Sequence, residues 1–132
     1  MSLATDPIAD FLTRIRNANR AAHQDLTAPF SKIKAEIARI LLEEGFIWNY
    51  EVITGDGHPS LKVKLKYQGR VPVITNLKRV STPGRRHYVG SAEIPRVRQG
   101  MGIAILSTPK GLMTGGRARK QNLGGELLAL VW

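Results

Sequence analysis

A chain of 132 residues suffices for one domain or two very small ones, and a 42% share of hydrophobic residues lets it bury a core. It has no cysteine, which excludes a disulfide framework, a thiolate metal site and a cysteine nucleophile, and no apolar run nears the roughly 20 residues of a membrane span. Its twenty Lys and Arg face ten Asp and Glu unevenly: nine against eight in residues 1–66, but eleven against two (Glu93 and Glu126) in residues 67–132.

In chain order, Asp6-Pro7 reads as a helix start, with Asp6 as N-cap and Pro7 at the first position, where its missing N–H costs nothing. Ile8, Phe11, Leu12 and Ile15 follow at helical spacing as a buried stripe. Arg14 and Arg16 lie off it, and Asn17, Asn19 and Arg20 are expected to fray the end. Residues 26–30 suit a short strand. Ser31 caps a second helix with apolar positions Ile33, Ile37, Ile40 and Leu41, closed by Gly45. Residues 46–54 alternate apolar with polar, blurred at Trp48-Asn49-Tyr50, and residues 55–59 form a turn. Leu61, Val63, Leu65 and Tyr67 then alternate with Lys62, Lys64 and Lys66, giving a hairpin whose lysines make a solvated sheet face. Composition changes at Gln68-Gly69-Arg70, so the boundary is expected there, between abutting lobes 1–68 and 69–132 with no flexible linker.

The second lobe should be strand-rich. Val71 to Ile74 begins a strand, Ser81-Thr82-Pro83-Gly84 turns into Arg85-Arg86-His87-Tyr88-Val89, and residues 92–99 form a short turn or helix carrying Arg96 and Arg98. Ile103 to Leu106 reads as a buried strand that stops at Ser107, Thr108, Pro109, Lys110 and Gly111, because proline removes a backbone donor and glycine permits a left-handed turn. Thr114 caps a short helix over 116–122 with Arg117, Arg119 and Lys120 exposed. Leu123-Gly124-Gly125-Glu126 reads as a tight turn before a closing strand from Leu127 to Trp132. The expected class is α+β: two helices on a short sheet, then a mainly β lobe with a short helix.

Which chemistry this supports follows from the loop at 107–111 and the charge. Ser107-x-x-Lys110 matches the S-x-x-K of serine acyl enzymes, but that motif needs a helical turn between serine and lysine, and its partner motifs are missing. No Walker A run occurs, Gly100-Met101-Gly102 lacks the third glycine of a dinucleotide fingerprint, and His23, His58 and His87 stand apart as surface histidines without metal-ligand spacing. No cofactor is implied and no catalytic set survives. A basic excess confined to one half suits a polyanion, nucleic acid ahead of an acidic lipid surface or acidic protein. Lys110 and Arg86 would neutralise phosphates, Ser107 and Thr108 would donate to sugars and base edges, and Tyr88 among arginines would stack on a base or hydrogen-bond through its hydroxyl, unless it only packs on the sheet. The Ser31-Lys32 helix start offers free N–H groups to a phosphate, and Glu126, nearly alone among bases, pairs with an arginine or accepts from a cytosine amino group.

Asp6-Pro7-Ile8-Ala9-Asp10, Thr13-Arg14-Ile15-Arg16-Asn17-Ala18, Gly102-Ile103-Ala104-Ile105-Leu106-Ser107-Thr108 and Gly124-Gly125-Glu126-Leu127-Leu128 together resemble the bacterial small-subunit ribosomal protein S-eight family. Lys110-Gly111-Leu112-Met113-Thr114 and Val131-Trp132 extend the likeness nearly end to end. The resemblance implies a cytoplasmic, non-enzymatic constituent of the small ribosomal subunit. It would be a primary 16S rRNA binder that grips an irregular central-domain stem, supports 30S assembly beside neighbouring small-subunit proteins, and, as many members do, represses its own operon mRNA. It also implies the RNA-binding set: Ser107, Thr108, Lys110 and Gly111 in the loop, Tyr88 with Arg86, Gly124, Gly125 and Glu126 in the turn, and Ser31, Lys32 and Arg14 from the first lobe. Two departures stand out. Pro109 occupies the place of a third hydroxyl, which removes a donor and a backbone N–H while stiffening the loop, and Ala129-Leu130 replaces a common Cys-Tyr.

Overall fold

The computed structural model describes residues 6–55 and 57–132; Asp56, in the expected 55–59 turn, lies outside the described residues. The chain forms two compact units, Pro7–Thr75 and Asn76–Trp132, the latter including Asp6. The division falls past the change of composition at residue 68. Residues 69–75 stay with the first unit because the short strands β4 (Tyr67–Gln68) and β5 (Val71–Pro72) pair with each other and Val73 N–H donates to Lys66 O.

In the first unit α1 (Pro7–Arg20) buries the predicted Ile8, Phe11, Leu12 and Ile15, adds Ala18, and continues helical through Arg20 where fraying was expected. β1 (Asp25–Pro29) precedes α2 (Lys32–Glu43), whose N-cap Ser31 accepts from Lys34 N–H. Gly45 follows α2 with φ +81°, while Phe46 N–H donates to Leu41 O to close the last turn. β2 (Ile47–Ile53) and β3 (Ser60–Leu65) form the predicted hairpin, and β1 joins the other edge, giving the antiparallel order β1-β3-β2. Leu26, Ala28, Leu61, Val63 and Leu65 are buried, whereas Lys62 and Lys64 alternate onto the opposite face. α1 packs on β1 and α2, and α2 packs on β2 and β3. Tyr67 leaves β3 for β4, so the predicted alternation ends two residues early.

The second unit is a sheet of β6 (Leu77–Arg79), β7 (Tyr88–Val89), β8 (Ile103–Thr108), β9 (Gly111–Thr114) and β10 (Gly125–Val131). The order is β6-β10-β8-β9, with β7 pairing the start of β10 beyond the end of β6. Residues 91–93 make an expected short turn as a 3₁₀ segment, and residues 97–100 make another in which Arg98 and Gln99 take left-handed backbone angles, φ +49° and +55°. Thr114 caps α3 (Gly115–Lys120) as predicted, accepting from Arg117 N–H. Leu106, Met113 and Leu127 lie side by side in register and form one core with Ile94, Val97, Ala104 and Ala118.

Three expectations change here. β8 does not stop at Leu106; it runs through both hydroxyls, because Pro109 falls in the turn, where its missing N–H breaks no ladder bond. The loop expected at 107–111 is only a two-residue turn, Pro109 and Lys110, and residues 111–114 return as a strand. Gly125 and Glu126 already belong to β10, and the turn before it lies at Gln121–Asn122, with Asn122 at φ +54°.

Candidate nucleic-acid interface

Register assembles the surface that the residues alone could only suggest. Tyr88 on β7 opposes Glu126 on β10, Glu126 opposes Ser107 on β8, and Ser107 opposes Leu112 on β9. Directly opposed residues in antiparallel strands project to one face, so these four side chains form a row across four strands. The next row, Leu106, Met113 and Leu127, points the other way into the core. Tyr88 is 69% exposed, far more than sheet packing of a tyrosine would leave it. The Ser107 hydroxyl has no hydrogen-bond partner among the described residues.

The hairpin tip beside this row is stitched from within. Thr108 Oγ1 accepts from Lys110 N–H at 3.1 Å and donates to Gly111 O at 2.8 Å, and its residue is only 9% exposed. Thr108 therefore holds the turn, while Ser107 remains an open donor. Gly111 adopts φ +108°, which an L side chain resists, so the glycine lets β9 return at once. Lys110 stands exposed at the tip with no ion-pair partner among the described residues.

Glu126 is held on the arginine side of its predicted alternatives. Arg86 Nη1 donates to Glu126 Oε2 at 2.9 Å, and Ser81 Oγ donates to the same oxygen at 2.6 Å while accepting from His87 N–H at 3.0 Å. Burial pushes the Glu126 carboxyl up in pKa, but hydrogen bonds from Ser81 and Arg86 and the charges of Arg86 and Arg79 outweigh it, leaving the value below the ordinary 4.5. The hydrogen bond to Glu126 raises the Arg86 pKa in turn. Ser81, fully buried, organises this network and had no mark in the sequence beyond its place in a turn. Leu112 completes the row from β9, a four-residue strand that the sequence does not announce.

Gly124 and Gly125 are there for close approach. A Cβ on Gly125 would lie 2.1 Å from Ser107 O, and one on Gly124 would lie 2.5 Å from Val89 O. Both glycines let β10 enter between β7 and β8, which sets Glu126 opposite Ser107 and Tyr88. The remaining predicted residues lie in the first unit. Lys32 is exposed at the start of α2, and Ser31 is engaged as its cap. Arg14 pairs with Asp10 at 2.9 Å and donates to Thr27 O at 3.2 Å.

Fold and site define a class: a small two-unit α+β protein whose strongly basic sheet unit presents uncharged donors and an exposed aromatic ring in one row. No group of acids and histidines that could hold a metal occurs among the described residues, and no described helix is long and apolar enough to cross a membrane. The family profile for ribosomal protein S8 matches residues 6–132. The chain is 56% identical to the small ribosomal subunit protein uS8 of Koribacter versatilis, with each chain fully covered. It is 55% identical to the protein of the same name from Thermus thermophilus, over 98% of this chain and all of the relative. The chain belongs to the ribosomal protein S8 family. It is accordingly a structural, non-enzymatic small-subunit ribosomal protein of the translation machinery, and a cytoplasmic one.

Proposed function

We propose that this chain is a primary 16S rRNA binder that grips an irregular stem of the central domain through its second unit and so supports 30S assembly. The cross-strand row of Tyr88, Glu126 and Ser107 beside the unpaired Lys110 carries this reading. Ser107 donates to sugar or base edges, Tyr88 stacks or donates, and Lys110 and Arg86 supply phosphate contacts. Thr108, Gly111, Gly124 and Gly125 fix the backbone that presents them, and Glu126 holds Arg86 in place. Ser31, Lys32 and Arg14 supply further phosphate contacts from the first unit. The same surface, meeting a similar stem in the chain's own operon mRNA, would repress translation, and neighbouring small-subunit proteins would be its protein partners.

Filter binding tests the reading with the central-domain stem, an unrelated hairpin and anionic liposomes. The stem should win by orders of magnitude at physiological salt. Lys110→Ala should weaken binding to both RNAs and shallow the log K against log salt slope by about 0.7–0.9. Ser107→Ala should weaken the stem about fivefold or more while sparing the hairpin. Equal affinity for stem and hairpin, or preference for liposomes, would overturn it.

A further inference from the structure

The first unit carries a second feature that this function does not use. Trp48 interrupts the alternation of β2, and the structure leaves its indole 54% exposed although tryptophan is mostly buried in folded proteins. Lys66 Nζ sits 4.5 Å from the ring centroid and donates to Gly45 O, so the ring is braced in its exposed position. Beside it opens a cleft of about 710 Å³ lined by Trp48, Gln24, Lys64, Tyr67, Gly69 and Arg70. Tyr67 forms a fixed wall, since its hydroxyl donates to His23 O.

The charges of this cleft are one-sided. Lys64 and Arg70 have no ion-pair partner among the described residues, and no carboxylate lines the cleft. A smaller cleft next to it shares Gln24 and Lys64 but includes Asp25 and Glu51, with Lys62 already paired to Asp25. The Gln24 carboxamide and the Trp48 indole N–H likewise have no bonded partner among the described residues. A half-exposed aromatic ring, a free carboxamide and two free cations in one recess match a base with its phosphates, and the recess is of the size that takes small ligands.

We propose that this cleft binds an unpaired RNA nucleotide, whose base stacks on Trp48 and bonds to Gln24 while its flanking phosphates meet Lys64 and Arg70. The ribosomal setting supplies such strands, and the missing carboxylates disfavour a basic peptide as occupant. The site is separate from the row on the second unit.

The test uses full-length protein carrying Trp132→Phe, so that Trp48 alone reports, titrated with a single-stranded tetraadenylate at low salt. Its emission should quench saturably. Lys64→Ala with Arg70→Ala should weaken the interaction about tenfold or more, as should Trp48→Ala followed by a labelled oligonucleotide. A blunt duplex should quench little, and Ser107→Ala should leave the quench intact, which separates this site from stem binding. No quench, an unchanged affinity after removal of both cations, or equal quenching by polyglutamate would overturn the proposal, the last in favour of an acidic protein partner.

Discussion

At Ser81 one buried hydroxyl serves two partners, accepting from the His87 N–H and donating to the Glu126 carboxylate. Alanine there removes a hydrogen bond to a charged group and strands a backbone donor, so Ser81→Ala should lower unfolding free energy by about 1.5–3 kcal/mol in urea melts. The carboxylate also sets an acid limit. Because its folded pKa lies below the ordinary value, its contribution is present above 4.5 and is lost as pH falls through the folded value. Glu126→Gln should flatten that part of the stability profile below pH 4.5, and a profile unchanged by the substitution would show that the network adds nothing. The pairing of Glu126 with an arginine was legible, since it is one of two acids in a basic half. Ser81 was not, because its partner returns from 45 residues further along the chain.

The β8–β9 hairpin teaches the same distinction for elements. The helices could be read from local chemistry, since Ser31 and Thr114 are caps and the apolar residues of α1 and α2 recur every three to four positions. The hairpin could not, because its second strand is four residues long and begins with glycine, and because Pro109 looked like the end of a strand when it is the start of a turn. Thr108 is where this matters. Thr108→Val keeps the shape but removes both turn bonds and should cost about 1 kcal/mol, whereas Ser107→Ala, with no bond to lose, should stay within about 0.5 kcal/mol. Gly125→Ala should cost about 1–3 kcal/mol, since the methyl must displace Ser107 O. Denaturant midpoints that ranked Ser107→Ala above Thr108→Val would reverse the roles assigned to the two hydroxyls.

Over the whole chain, the charge and the two-part architecture are legible in the sequence, while the division after Thr75 lies past the change of composition because β4 and β5 pair within the first unit. Residues 76–132 hold ten Lys and Arg against two acids, while the aromatic recess with its free cations belongs to the other unit. β10 has the longest reach in its consequences. It is the last strand in chain order, yet β6, β7 and β8 all pair with it and with none of one another. A ribosome making this protein therefore lays out the pieces of the basic half before the strand that unites them. Nascent or truncated chains stopping before residue 125 should show no selective grip on the stem, so an unfinished copy would not occupy a place in a growing subunit.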